Sequence, residues 1–234
     1  PDSLKKARAA KRRFSFEELL SVHLHVLREK MKLKQEKAAP VSLNLETVKS
    51  FVSSLPFQLT DAQRRCSWQI LKDIQKARPM NRLLEGDVGS GKTIVAIIAI
   101  LNTAKAGFQA AFMAPTEILA KQHFKTVSEH LKDFDVNVGL LTGQDRKVGK
   151  RKVGKKSLLK KISEGDLELV IGTHALIQDE VRFGNLALVV LDEQHRFGVL
   201  QRSALRQKGT TPHVLVMTAT PIPRTLALTI YGDL

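Results

Sequence analysis

Residues 86–93 read Gly-Asp-Val-Gly-Ser-Gly-Lys-Thr. Three glycines followed by a lysine and a hydroxyl residue suit a bound anion. Gly86, Gly89 and Gly91 permit backbone conformations and close approaches that side chains forbid. With Ser90 between them, they can aim successive backbone N–H groups at phosphate oxygens, where a helix opens with Lys92 and Thr93. Lys92 is then placed for the β- and γ-phosphates of a nucleoside triphosphate, and the Thr93 hydroxyl for Mg²⁺. Far downstream, Asp192-Glu193 ends the apolar run Leu186–Leu191. There Asp192 can hold the metal ion, and Glu193 can orient and deprotonate an attacking water. Thr60-Asp-Ala-Gln63 is a capping-box pattern. Phe57 is read as a core residue, and Cys66 and Trp68 as helix packing.

These groups meet only if the chain between them folds as strands and helices in alternation. From residue 57 onward that rhythm is visible. Short apolar runs at 82–85, 110–114, 136–141, 167–171, 186–191 and 214–217 read as strands. Their near-continuous apolarity suits strands covered on both faces, as in a parallel sheet. Helical segments at 60–77, 93–105, 117–131 and 157–163 separate several of them. The pattern predicts an α/β, doubly wound, mostly parallel sheet, with ligands outside the carboxyl ends of its strands. Upstream, residues 14–35 read as a helix begun by a Ser15/Glu18 capping box, with Phe16, Leu19, Leu20, Leu24, Leu27 and Met31 at helical spacing. Residues 36–43 read as a linker, and Asn44 as the cap of a short helix ended by Pro56. The division expected is a basic helical connector and linker at 1–50, then the main lobe at 51–234.

The 234 residues carry a formal net charge of +15. Residues 1–40 hold a net +6 and residues 146–161 a net +9, and the remainder is balanced. Such segments attract phosphate backbones without reading sequence. Within the second, Arg-Lys-Val-Gly-Lys occurs twice in tandem at 146–155. Dense like charge and two glycines predict a mobile loop, with Lys150, Arg151 and Lys152 as a non-specific DNA tether. One cysteine excludes an internal disulfide framework and suits a reducing compartment. The longest apolar run is too short to span a bilayer, and a charged N-terminus with no apolar stretch behind it points to the cytoplasm.

Residues 191–195 read Leu-Asp-Glu-Gln-His and residues 218–225 read Thr-Ala-Thr-Pro-Ile-Pro-Arg-Thr. With the phosphate loop, these stand in the order found in superfamily 2 helicases and translocases, which the chain resembles over about 55–234. The stretches Met113–His123 and Ile171–Gln178 are similar to two further motifs of that superfamily. The resemblance implies a RecA-like first motor lobe that uses ATP and Mg²⁺ and acts on DNA. It implies that Thr116 and Thr173 contact DNA phosphates, and that Gln63 reads adenine through its two-sided amide, with packing near the base as the alternative to a core role for Phe57. It also implies that Thr218 and Thr220 couple the nucleotide state to those contacts, with His195 as a relay. His174, Arg196 and Arg224 carry weaker assignments. Within the superfamily the wording is nearest to bacterial helicases that remodel stalled forks and branched DNA in recombination and repair. Transcription-repair coupling translocases, which act on double-stranded DNA, are the nearest alternative. A small-substrate phosphate-loop enzyme would explain Lys92 but not Thr-Ala-Thr or the basic segments. The superfamily also implies a second RecA-like lobe and, in the fork-remodelling branch, a wedge domain, both outside this chain. The lobe alone is therefore expected to bind ATP–Mg weakly, hydrolyse it slowly and unwind nothing.

Overall fold

The computed structural model describes residues 3–192 and 211–219. Among the described residues, eight strands form one sheet in the order β1-β8-β7-β2-β6-β3-β4-β5. They are β1 (Asn81–Glu85), β2 (Gln109–Met113), β3 (Val138–Leu141), β4 (Arg146–Val148), β5 (Arg151–Lys152), β6 (Leu169–Gly172), β7 (Leu186–Asp192) and β8 (His213–Thr218). The pairings from β1 through β8, β7, β2 and β6 to β3 are all parallel, and β4 and β5 add antiparallel strands at one edge. The helices are α1 (Leu4–Gln35), α2 (Leu45–Ser54), α3 (Asp61–Ile74), α4 (Lys92–Lys105), α5 (Glu117–Leu131) and α6 (Lys155–Glu164).

The central strands are buried on both faces, which is why they read as unbroken apolar runs. Along β2, Ala110 and Phe112 join one core cluster while Ala111 and Met113 join the other. Along β7, Leu188 and Val190 face the first cluster, and Val189 and Leu191 the second. Helix α4 is buried continuously from Ile94 to Ala104, so it is apolar all round and not along one stripe. Its single buried amide, Asn102, accepts from the Asn44 N–H (2.8 Å) and donates to the Ser42 carbonyl (3.1 Å). Gln109, 2% exposed at the start of β2, is satisfied likewise. It donates to the carbonyls of Ile162 and Leu167 and accepts from the Asn185 N–H.

Three expectations need correction. The compact unit carrying the sheet spans Lys37–Pro221. The presumed linker is part of this unit: Ala38 and Val41 N–H groups donate to the carbonyls of Ala77 and Ile74, and Val41 is fully buried. Helix α1 begins at Leu4, not at residue 14. The Ala-, Lys- and Arg-rich stretch before Ser15 is good helix former, and Ser3 accepts from the Lys6 N–H in place of the Ser15 cap. Along α1, Phe14, Phe16, Leu19, Leu20, Val22, Leu24, Leu27 and Met31 are all exposed.

The third correction concerns 146–155, which is a β-hairpin and not a loop. β4 pairs with β3, and β5 pairs with β4 across the two-residue turn Gly149-Lys150. Gly149 has φ +53° while Lys150 is not in the positive-φ region, the pattern of a type II′ turn. Val148 and Val153 pack against the second core cluster, which offsets the crowding of like charge. The two copies of the repeat therefore differ in fold. The first is strand then turn. The second is strand, then Gly154 at φ −70° as the N-cap of α6.

Candidate nucleotide site at the carboxyl edge of the sheet

The phosphate loop runs from the end of β1 to the start of α4. Gly89 and Gly91 sit at φ +83° and +80°, a region L side chains seldom enter. Gly91 is the N-cap of α4, so the free N–H groups of the first helical turn open beside it. A Cβ on Gly86 would lie 2.7 Å from the Ser90 Oγ, and one on Gly91 only 2.4 Å from the Gln63 Nε2. The loop is thus closed on itself and on α3. The half-buried Lys92 donates from Nζ to the carbonyls of Gly86 (2.6 Å) and Asp87 (2.8 Å), so its ammonium lies within the loop's curl.

Gln63 serves two structures at once. Its carbonyl oxygen accepts from the Thr60 N–H (2.9 Å) while Thr60 Oγ1 accepts from the Gln63 N–H (3.2 Å), completing the capping box of α3. Its amide nitrogen donates to the Ser90 carbonyl (2.8 Å), tying α3 to the phosphate loop. Phe57 is 45% exposed, so the core assignment for it fails. Trp68 is 43% exposed, with the Lys72 ammonium 5.1 Å from its ring centroid, so it is not a packing residue either. Cys66 does pack against the first core cluster.

Asp192 closes β7 at the same edge of the sheet. Its neighbour across the ladder is Met217 on β8, and Thr218 on β8 pairs with Glu85 on β1. The Thr218 carbonyl accepts from the Gly86 N–H (3.3 Å), and Thr218 is 1% exposed. Asp192 and the loop are therefore two strand spacings apart, roughly 10 Å, with the end of β8 between them. Asp192 accepts a hydrogen bond from His123 Nε2 (2.7 Å). Sequence reasoning missed His123 as a site residue. Its one local signal is its place in the Met113–His123 stretch.

Thr116 and Thr173 follow β2 and β6 at the same edge. Thr116 is the exposed N-cap of α5 and its hydroxyl accepts from the Leu119 N–H (3.3 Å). Thr173 precedes the 3-10 turn His174–Ile177 and makes no side-chain cap bond. Lys121, on α5, pairs with Asp145, which also feels Lys152 and Lys147. The hydrogen bond from Lys121 holds the Asp145 carboxyl below its ordinary range. Lys150, Arg151 and Lys152 are exposed at the hairpin tip and on β5. Glu193, His195, Arg196, Thr220 and Arg224 lie outside the described residues.

The donor set fits a hard divalent cation bound with a nucleotide. It offers one carboxylate and one hydroxyl, and among the described residues no cluster of three or more His, Cys, Asp or Glu side chains could cage a metal. Mg²⁺ commonly takes one or two carboxylates plus substrate phosphates.

The DEAD/DEAH box helicase family matches residues 60–229. The chain belongs to this family. Among curated proteins, this DEAD/DEAH box helicase chain is 53% identical over 225 residues to the ATP-dependent DNA helicase RecG of Aquifex aeolicus, covering 95% of this chain and 28% of that protein. It is 47% identical to the RecG of Bacillus subtilis, covering all of this chain and 34% of that protein. A solved RecG bound to a three-way DNA junction superposes with a TM-score of 0.85 at 42% identity, covering 100% of this chain and 31% of that one. A hypothetical ATP-dependent RNA helicase from Sulfolobus tokodaii shares the fold with a TM-score of 0.57 at 18% identity, covering 80% of this chain and 54% of that one. The chain thus spans about a third of the length of the RecG proteins it matches. Among the described residues no helix is long and apolar enough to cross a membrane.

Proposed function

We propose that this chain is the ATP-binding lobe of an ATP-dependent DNA helicase or translocase that acts on branched DNA or stalled forks. One observation carries the reading. The glycine loop with Lys92 and Thr93 opens α4 at the same sheet edge where β7 ends in Asp192. The likeness to RecG proteins supplies the branched-DNA part of the reading.

In this reading the loop N–H groups and Lys92 hold the β- and γ-phosphates. Thr93 and Asp192 hold Mg²⁺, which when bound spreads the charge of the transferred phosphoryl group. Glu193 orients and deprotonates the attacking water. Gln63 presents its amide toward the adenine while gripping the loop through Ser90, and Phe57 is exposed enough to lie against the base. Thr218, hydrogen-bonded through its carbonyl to Gly86, stands between loop and acid, so a shift of β8 reaches both. Thr220 and His195 extend that link. Thr116, Thr173 and the basic hairpin contact the DNA backbone. A second RecA-like lobe supplies arginines to the transition state, and a wedge domain splits the branch. Arginine fingers can contribute roughly 10³–10⁵ in rate, so the lobe alone binds ATP–Mg but turns it over very slowly.

The test is a titration of labelled ATP with and without Mg²⁺ and forked DNA. Wild type should bind in a Mg²⁺-dependent way, and Lys92→Ala should weaken binding by about tenfold or more, the loss of one charge-assisted hydrogen-bonding group. In a full-length protein, Glu193→Gln should keep ATP binding and abolish turnover, and forked DNA should stimulate hydrolysis more than linear duplex. Equal binding by wild type and Lys92→Ala would sink the nucleotide-site reading.

A further inference from the structure

His123 lies 69 residues from Asp192 in the chain and meets it in the fold: Nε2 donates to Oδ2 over 2.7 Å. Both side chains are largely enclosed, 13% and 16% exposed. The imidazole is braced on its other side by the ring of Phe112, with centroids 4.6 Å apart and planes at 52°. Phe112 is fully buried on β2, whose neighbour is β7, and it pairs in register with Val190 two residues before Asp192. Helix α5 is itself anchored, with Ala120 fully buried before His123 and Val127 after it. The donor is therefore fixed to the same frame as the carboxylate it touches.

A carboxylate has about four lone-pair sites. Left alone at a strand end it rotates and shares them with any water that reaches it. Here one site is committed to an immobile N–H, which orients the group and leaves the remaining sites for other partners. Hydrogen-bonding partners of this kind, one step removed from a metal, change its affinity by about 10–100-fold when lost.

We propose that His123 is the positioning residue for Asp192, fixing the carboxylate in the orientation from which it receives the nucleotide's divalent cation. The inference rests on the nucleotide-site reading above. It assigns α5 a second task beyond carrying Thr116 at its N-cap.

The discriminating experiment compares His123→Gln, which keeps an N–H donor, with His123→Leu, which fills similar space without one. The chain is titrated with MgCl₂ at fixed mant-ADP, and the Mg²⁺ concentration at half-maximal binding is read, with a parallel binding curve in EDTA. The expected result is a midpoint raised about tenfold or more in His123→Leu, a His123→Gln midpoint within about threefold of wild type, and equal EDTA binding in all three. Three results overturn the proposal: a Leu midpoint like that of wild type, Gln and Leu midpoints shifted together, or EDTA binding lowered along with the midpoint. The second would mean that ring packing on Phe112, not hydrogen-bond donation, is what matters. If wild type itself binds mant-ADP without any Mg²⁺ dependence, the cation-site reading falls and takes this one with it. Should His123→Leu not fold, His123→Met makes the same comparison with a more pliable apolar side chain.

Discussion

The contact between Gln63 and the phosphate loop makes a quantitative claim. Gly89→Ala and Gly91→Ala place a Cβ at nearly the same positive φ, +83° and +80°. Each should cost about 1–2 kcal/mol of backbone strain. The added Cβ meets nothing within 4 Å at Gly89 but lies 2.4 Å from Gln63 Nε2 at Gly91. Gly91→Ala must therefore also push the Gln63 amide off the Ser90 carbonyl, a hydrogen bond contributing about 1 kcal/mol net. Gly91→Ala should cost about 2–3 kcal/mol, roughly 1 kcal/mol more than Gly89→Ala. Gln63→Ala alone removes the Ser90 bond and the reciprocal half of the capping box, together about 1–2 kcal/mol. In Gly91→Ala/Gln63→Ala the collision is gone and the Ser90 bond is lost only once. The double variant should be less destabilised than the sum by about 1 kcal/mol, while Gly89→Ala with Gln63→Ala should add to within about 0.5 kcal/mol. The assay is urea unfolding of the five single and double variants and wild type, with stabilities taken from midpoints at constant slope. Additivity in both cycles would refute the contact and, with it, the mechanical tie between α3 and the loop.

Two further outcomes follow from the geometry. The hairpin puts Lys150, Arg151 and Lys152 at the exposed end of the sheet, while Arg146, Lys147 and Val148 are only half-exposed. Neutralising Lys150, Arg151 and Lys152 together should flatten the salt dependence of DNA binding by up to about 3 in log–log slope, not by the roughly 5 that six freely mobile contacts would give; an unchanged slope would rule out the tether. His213 is buried, accepting from the Met80 N–H at Nδ1 and bonded through Nε2 to the Ala39 carbonyl (3.0 Å each), and burial pushes its pKa below the ordinary 6.5 while the Ala39 carbonyl and Asp73 oppose that shift. The unfolded chain then binds the extra proton first, so stability is fully present above pH 6.5 and is lost as pH falls from there through the lower folded value, by at most about 1.4 kcal/mol per pH unit. Melting curves between pH 7.5 and 5 should show this fall in wild type and a flatter profile in His213→Asn, and parallel profiles would refute it.

Which parts of this site could be read from residues alone depends on how far apart the interacting groups lie in the chain. The glycine loop, the apolar strand before it and the apolar helix after it are neighbours in sequence, so type and order suffice. The expected start of α4 at residue 93 and its observed start at Lys92 differ by a single residue. Asp192 was legible because a strand has only two ends, and a parallel sheet sends its carboxyl ends to one edge. The hairpin is not legible in the sequence, because charge density is local and the packing that opposes it is not. Val148 and Val153 reach the core only once β4 lies beside β3, and nothing local announces that pairing. The same reasoning explains the strap at 37–43, where Ala38 and Val41 are buried and four backbone groups bond to Ala77, Ile74, Asn102 and His213. It also explains His123. A histidine on a helix face has many bland roles, and only the juxtaposition of α5 with the end of β7 turns this one into a hydrogen-bond donor to an acid. Gln63 lies between these cases. Its capping box spans four adjacent residues and was legible, whereas its bond to Ser90 crosses 27 positions and was not. Both readings of that glutamine are compatible, because one amide has enough donors and acceptors to end a helix, hold the loop and still face a base. A variant that spares the cap but loses the reach, Gln63→Glu, separates them. Its carboxylate can accept from the Thr60 N–H as a capping box requires, but it cannot donate to the Ser90 carbonyl. Helix α3 should then keep its stability while the phosphate loop loses its tie. Weakened nucleotide binding, with stability lowered by no more than the roughly 1 kcal/mol of the lost Ser90 bond, would locate the functional part of Gln63 in its amide nitrogen.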